Sequence, residues 1–331
     1  MKKVLITGAT GFIGSNLAKK LLSLHSYSVR IFVRPDSNLT RIQGIKQKLD
    51  IFTGDLCKKE DILKSLKGVD MLIHLASILK RGWHQDYEKY NIQVSRDLFQ
   101  QAAKQKLQKI IYLSSLAVMK GTRSPYIYTE SDPVSPKTLY GRSKIEVEKI
   151  AQDLVRRQKA NIIILRPPAV YGEEDNFDRG FIRLIDMIAR NSFIPFHDMK
   201  NFMSLIYIGN LMDAILTCMK NRKADQKTYF VADREIFTTR ELYRLVIRLT
   251  AGREKKWRAP TFSVKILEAL LENTARVFGY LPNFPEDFVD DMICNYMCSS
   301  NKIQSELGWK PPFTLQEGFT RTVYWYQQTR K

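Results

Sequence analysis

Tyr140 and Lys144 stand four residues apart at the start of a segment with helical periodicity, so their side chains emerge on one face. A free phenol titrates near ~10, and an ammonium beside it favours the phenolate, bringing a proton donor or acceptor toward working pH. Ser115, at the end of an apolar run, adds a hydroxyl that can orient a substrate oxygen toward Tyr140. The three form a candidate catalytic set for moving a proton on and off an alcohol or carbonyl oxygen, with Ser115 also a substrate contact. Tyr-x-x-x-Lys alone is common at solvent-facing helix starts, so the set gains meaning only from what surrounds it.

Near the N-terminus the apolar stretch Val4–Thr7 ends in Gly8-Ala9-Thr10-Gly11-Phe12-Ile13-Gly14 and runs straight into a helical pattern. Gly8 permits a tight turn, Gly11 lets the backbone approach a pyrophosphate, and Gly14 allows close helix packing, while the helix N-terminus stabilises negative charge. Placed between the first strand and the first helix, this is a dinucleotide-binding turn, with Phe12 and Ile13 among its contacts. Twenty residues beyond Gly14, where an NAD site usually carries an acid for the ribose 2′-hydroxyl, the chain has Val33-Arg34-Pro35. Arg34 reads as a clamp for a 2′-phosphate, which favours NADP over NAD, with Asp36 nearby as a counter-signal. Asp55-Leu56 and Leu75-Ala76-Ser77 follow later strands, where an adenine and a ribose-pyrophosphate would lie.

These residues need a frame. Lys3–Thr7, Val29–Arg34, Leu49–Thr53, Met71–His74, Ile110–Leu113 and Ile162–Arg166 read as strands buried on both faces. Ile13–His25, Lys58–Leu66, Asn91–Lys104 and Tyr140–Gln158 carry apolar residues at helical spacing between them. The expectation is an α/β protein, a Rossmann-like doubly wound parallel sheet with a smaller C-terminal substrate-binding lobe. The dinucleotide-binding part covers 1–166, with 202–232 returning to it, and 167–331 forms mainly the lobe. The lobe starts with helices at Phe181–Arg190 and Ile208–Lys220 and a strand at Lys227–Val231. Thr238 and Thr239 precede another helix, where a threonine caps amides that Glu241 also favours.

With 331 residues, 44% hydrophobic and 26% charged, the chain can bury a sizeable core. No leader-like apolar segment precedes the first strand and no long uncharged apolar stretch occurs, so the expectation is a cytoplasmic protein without membrane contact. Phe262–Leu281 places Val264, Leu267, Leu271 and Phe278 on one helical face, which could touch a lipid substrate or a membrane surface and is read as packing onto the lobe. The net charge of +19 favours anionic partners. Basic residues are spread along the chain with no nucleic-acid-binding motif, which argues for a small anionic ligand and against specific nucleic acid. Four scattered cysteines do not make a disulfide framework. Cys294 and Cys298 would share a helix face, but no nearby His or further Cys completes a site, so no metal is expected. His74, closing an apolar strand, reads as a structural histidine.

The blocks TGATGFIG, GDL at 54–56, HLAS at 74–77, LSS at 113–115 and YGRSK at 140–144 resemble the extended short-chain dehydrogenase/reductase family in order and spacing. So do Leu165-Arg-Pro-Pro-Ala-Val-Tyr-Gly172, Tyr207-Ile-Gly-Asn210 and the closing Glu306-Leu-Gly-Trp-Lys-Pro311, and the likeness covers nearly the whole chain. The resemblance implies NAD(P)-dependent hydride transfer at a secondary alcohol, with Pro167 near the cofactor and Lys144 on the nicotinamide ribose. It also implies assembly as a homodimer. Ser115 rather than Ser114 matches the family's Ser/Thr-x-x-Val spacing to Val118, although Met119-Lys120-Gly121 departs from the usual Tyr-Gly. Asn91 would hold a water or carbonyl near the site, or simply cap a helix.

For the substrate the resemblance forks between nucleotide-sugar 4-epimerases or 4-keto-reductases and hydroxysteroid dehydrogenase or dihydroflavonol reductase-like enzymes of apolar substrates. The basic balance leans to the nucleotide sugar. Tyr171 and Arg179 are then candidate substrate contacts, with Arg183 and Lys200 as further diphosphate candidates. Leu116-Ala117 stands where a dehydratase carries an Asp-Glu pair, which argues against dehydration. A protein that only senses NAD(P) without turnover is the alternative of another class.

Overall fold

Seven parallel strands form the central sheet of the computed structural model, which describes residues 1–78, 84–175, 177, 180–195, 198–255, 257–260, 262–264, 266, 269–270 and 293–330. The strands are β1 (Lys2–Thr7), β2 (Tyr27–Val33), β3 (Asp50–Thr53), β4 (Met71–His74), β5 (Lys109–Leu113), β6 (Ile162–Arg166) and β7 (Thr228–Phe230). Across the sheet they run β7-β6-β5-β4-β1-β2-β3, every neighbouring pair parallel. The α/β Rossmann-like architecture read from the apolar runs is the one observed.

Alternation along each strand divides the core in two. Val4, Ile6, Ile111, Leu113, Ile163 and Leu165 face one layer, packed by Leu17, Ala18 and Leu21 of α1 (Phe12–Ser23). Leu5, Ile110, Tyr112, Ile162 and Ile164 face the other. There they meet α2 (Lys59–Leu66), α3 (Val94–Lys104) and α4 (Leu139–Gln158) through Ile62, Phe99 and Val147. The first layer continues without a break into the C-terminal half, through α5 (Gly180–Ala189), α6 (Ile208–Lys220), α7 (Thr239–Thr250) and α8 (Leu315–Thr329). α7 starts with a reciprocal box, in which Thr238 caps the Glu241 amide and the Glu241 carboxylate accepts from the Thr238 amide.

Two local readings are corrected. Cys294 and Cys298 do not share a helix face, because Asn295 bridges to Thr122 and Met297–Cys298 pairs with Ile127–Tyr128 as a short strand. The helix expected from Asn91 is preceded by a helical turn, His84–Tyr87, and a π-helical stretch, Glu88–Gln93, which reorients Asn91. Among the described residues no helix is long and apolar enough to cross a membrane.

The register aligns Thr7 with His74 and His74 with Tyr112, so the C-terminal ends of β1, β4 and β5 lie level. His74 is buried there with both ring nitrogens engaged, Nδ1 2.7 Å from Thr7 Oγ1 and Nε2 2.9 Å from Ser95 Oγ. Ser95 Oγ donates onward to the Asn91 carbonyl, so it accepts from Nε2–H and leaves Nδ1 to accept from Thr7. Burial, with the Lys144 charge adding to it, pushes the His74 imidazolium from 6.5 down to about 3. Between those values the unfolded chain holds a proton that the folded chain does not. His74 therefore makes stability rise with pH through that window and flattens above it. Urea unfolding of the parent and of His74→Gln should show a stability gap that narrows on acidification from pH 6.5, by up to ~1.4 kcal/mol per pH unit. A gap independent of pH in that window would contradict a buried neutral histidine.

Candidate active site

The turn after β1 sits at the point where strand order reverses, between β1 and β4, the place where open parallel sheets leave a crevice. Gly8 has a left-handed φ of +73°, and a Cβ there would lie 2.8 Å from the Ala76 amide, so the turn and the Leu75–Ser77 segment share one tight space. Gly14 lies against the Gly8 carbonyl, which seats α1 directly on the turn. Gly11 is the N-cap of α1, whose start has no side-chain cap and no acid in its first turn. Its first amides therefore have no side-chain cap and no carboxylate beside them, which suits them to an anion, and Phe12 and Ile13 stand half-buried there.

The other cofactor candidates follow the ends of β2, β3 and β6. Arg34 is exposed at the end of β2 and pairs with Asp36 at 3.5 Å. Asp55 sits half-buried after β3, its Oδ1 accepting from the Cys57 amide, and Leu56 packs on the sheet layer. Pro167 is buried just past β6, and its carbonyl accepts from the Leu116 amide at 2.7 Å.

Ser115, Tyr140 and Lys144 come together at the next strand end. Ser115 caps the short turn Leu116–Val118, its Oγ accepting from the Ala117 amide at 3.1 Å, and its hydroxyl favours the ionised form of Tyr140. Tyr140 lies in the first turn of α4, capped by Thr138. Lys144, one turn on and buried, donates to the Leu113 carbonyl at 2.9 Å and lies 5.5 Å from the Tyr140 ring centre. Here the structure departs from the expected tuning. Burial raises the Tyr140 phenol well above 10, opposed only in part by the Ser115 hydrogen bond, and the same burial lowers the Lys144 ammonium to about 7 while Glu148 pulls it back up. Desolvation outweighs the attraction that the sequence spacing led one to expect.

Beneath this set lies a polar layer that sequence reasoning missed. Glu148, four residues after Lys144, accepts from Ser114 Oγ at 2.5 Å and takes a bidentate pair from Arg166 at 3.0 and 2.6 Å, all of it buried. The pair ties α4 to the ends of β5 and β6, and it accounts for Ser114, whose hydroxyl points away from Tyr140. Gly141 was also missed. A Cβ there would run into the Ala117 carbonyl, so only glycine lets the first turn of α4 press against the Ser115 loop. Asn91 accepts from the Ile78 amide at 2.9 Å and donates to Ser143 Oγ at 3.1 Å, which in turn donates to the Tyr140 carbonyl. Arg166, a charge closing the apolar run Ile162–Leu165, was the available signal for this layer, whereas Glu148 stands among other charged residues and gave none.

On the substrate side the residues scatter. Tyr171, a candidate substrate contact, is fully buried, stacked on Phe319 at 4.2 Å with its hydroxyl donating to Asp233. Asp233 also accepts from the Tyr207 amide and Asn210, and burial still pushes its carboxyl up to about 7. Arg179 lies outside the described residues. Arg183 is exposed on α5, and Lys200 is exposed and pairs with Asp198. Among the described residues no group of three or more metal-ligating side chains occurs.

Comparison with known proteins adds to this geometry. The sequence pattern of the NAD dependent epimerase/dehydratase family matches residues 4–232. A UDP-glucose 4-epimerase of Vibrio cholerae is 29% identical over 338 residues, covering 99% of this chain and 96% of its own. A ceramide reductase of Caulobacter vibrioides is 24% identical over 330 residues, covering 98% and 94%. Among solved structures, UDP-glucuronic acid 4-epimerase from Bacillus cereus in complex with NAD superposes with a TM-score of 0.80 at 22% identity, over 99% of this chain and 100% of that one.

Removing one partner of a buried ion pair leaves the other charge uncompensated, whereas an exposed pair contributes little. Arg166→Met should therefore lower unfolding stability by about 3–5 kcal/mol, and Arg34→Ser by no more than about 0.5 kcal/mol, in urea titrations at neutral pH. Equal effects would contradict the placement of the two arginines.

Proposed function

The chain belongs to the NAD dependent epimerase/dehydratase family of extended short-chain dehydrogenase/reductase enzymes, and on that premise we propose that it acts at a secondary-alcohol or ketone carbon of a nucleotide sugar, as a 4-epimerase or 4-keto-reductase. One observation carries the reading: Ser115, Tyr140 and Lys144 meet at the end of β5, on the same sheet edge as the glycine turn after β1.

The residues fit a dinucleotide. The start of α1, which has no side-chain cap, would offer amides to a pyrophosphate, and Gly8, with no Cβ to meet Ala76, would let one approach; Phe12, Ile13 and Leu75–Ser77 would contact it, with Asp55 and Leu56 toward the adenine. Arg34, exposed and only loosely paired, supports NADP, while the solved relative carries NAD. When bound, the nicotinamide supplies the acceptor or donor of hydride.

The protein's own groups handle the proton. Ser115 and Tyr140 together hold the substrate oxygen, and the Tyr140 hydroxyl gives up or receives its proton. Lys144, fixed by the Leu113 carbonyl, supplies nearby positive charge and a donor toward the nicotinamide ribose. Leu116 and Ala117 offer no acid or base beside Ser115, which supports hydride transfer without dehydration. The net charge of +19 supports an anionic substrate, as does the name of the Vibrio relative.

The test is to supply the purified chain with NAD or NADPH and follow C4 epimerisation of UDP-glucose and reduction of 4-keto nucleotide sugars. Tyr140→Phe should reduce kcat by about 10²–10⁴-fold and leave the dinucleotide Kd unchanged. Turnover of apolar ketones alone would move the reading toward the kind of acceptor named for the Caulobacter reductase. A Tyr140→Phe protein with full turnover would overturn the catalytic assignment.

A further inference from the structure

Among the described residues, large exposed apolar side chains gather in one stretch. Trp257 is 64% exposed, Phe262 67%, Ile266 55% and Leu270 57%. Ile194, 48% exposed, joins them, because the Ala259 amide donates to the Pro195 carbonyl at 2.9 Å and lays the two segments side by side. Phe262, Ile266 and Leu270 recur every fourth residue, and the described residues 262–264, 266 and 269–270 are helical, so the three form one stripe. The face read from the sequence as packing onto the lobe is a different one. Its described member, Val264, is half-buried, while Leu267, Leu271 and Phe278 lie outside the described residues. A stripe of large apolar side chains turned to water is unusual for a helix of a soluble protein and marks an interaction face.

The flanks are basic. Arg244 and Arg248 are exposed on α7, one turn apart, and the chain continues as Arg253-Glu254-Lys255-Lys256-Trp257-Arg258. From 240 to 258 there are seven Lys and Arg against Glu241 and Glu254. The Arg253 amide donates to Asn191 and the Lys255 amide to the Tyr243 hydroxyl, which holds this basic run against α7 and the 191–195 segment. Exposed aromatic and aliphatic side chains beside clustered Lys and Arg are the makeup of an interfacial membrane contact, in which apolar groups enter the acyl boundary and cations meet anionic headgroups.

We propose that the face formed by Ile194, Trp257, Phe262, Ile266 and Leu270, with its Arg244–Arg258 flank, docks this enzyme peripherally on anionic lipid bilayers. The attachment is reversible and involves no spanning helix, and it is independent of which substrate the site takes.

The experiment is sedimentation of the full chain with vesicles of phosphatidylcholine alone or with phosphatidylglycerol, at low and high salt. It is paired with the tryptophan emission of the parent and of Trp257→Phe. We expect binding to the anionic vesicles only, a blue shift that Trp257→Phe loses, and at least tenfold weaker partitioning for Phe262→Ser/Ile266→Ser/Leu270→Ser, whose dinucleotide binding and melting temperature match the parent. Three results would overturn the proposal. One is absence of binding to anionic vesicles. Another is binding that salt abolishes and the triple substitution leaves unchanged, which is attraction by net charge alone. The third is a concentration-dependent dimer in sedimentation velocity that the triple substitution dissolves, which assigns the face to a second copy of the chain.

Discussion

The buried pair between Glu148 and Arg166 is the constraint on which the candidate site rests. Each charge taken from water costs several kcal/mol, and that cost is offset only while both partners and their hydrogen bonds are in place. Here they are: Arg166 meets both carboxylate oxygens, Ser114 donates to one of them, and the guanidinium stacks 5.4 Å from Phe230. The pair leaves α4 one position relative to the ends of β5 and β6. Ser115, Tyr140 and Lys144 all ride on those three elements, so their mutual geometry follows from an interaction none of them makes.

A second constraint comes from the parallel sheet. Parallel strands place every C-terminal end on one edge, and the reversal of order between β1 and β4 opens that edge into a crevice. The glycine turn after β1, the Leu75–Ser77 segment after β4 and the Ser115 turn after β5 therefore face a common space without any long-range signal in the chain. Hydrogen bonds stitch these segments together from behind, from the Ala76 amide through Thr7, His74 and Ser95 to Asn91, and from Asn91 through Ser143 to the Tyr140 carbonyl.

Much of this was legible in the sequence, and the exceptions share a cause. Strands, helices and the glycine turn were readable because their signals are local: apolar runs, a 3.6-residue period, a Gly-x-x-Gly-x-x-Gly at a strand end. Tyr140 and Lys144 were readable for the same reason. The burial of Tyr171 was not legible because the group that takes its hydroxyl, Asp233, is sixty-two residues away in the chain. Arg166 shows only as a charge closing an apolar run and Glu148 only as one charge among several on a helix until the fold brings them together, and Gly141 matters only once the Ala117 carbonyl is seen against it. The expected mutual tuning of Tyr140 and Lys144 failed on magnitude, since spacing reveals that two groups are neighbours but not how far both are withdrawn from water.

The central claim is that this edge of the sheet holds a nicotinamide dinucleotide against a proton-handling tyrosine. The most direct measurement is mass spectrometry of the nucleotide released when freshly purified protein is denatured, followed by calorimetric titration of the stripped protein with NADH and NADPH. The account predicts a released NAD or NADP species, or saturable micromolar binding of at least one of the two reduced forms. Protein that releases no dinucleotide and binds neither form at millimolar concentration would contradict it.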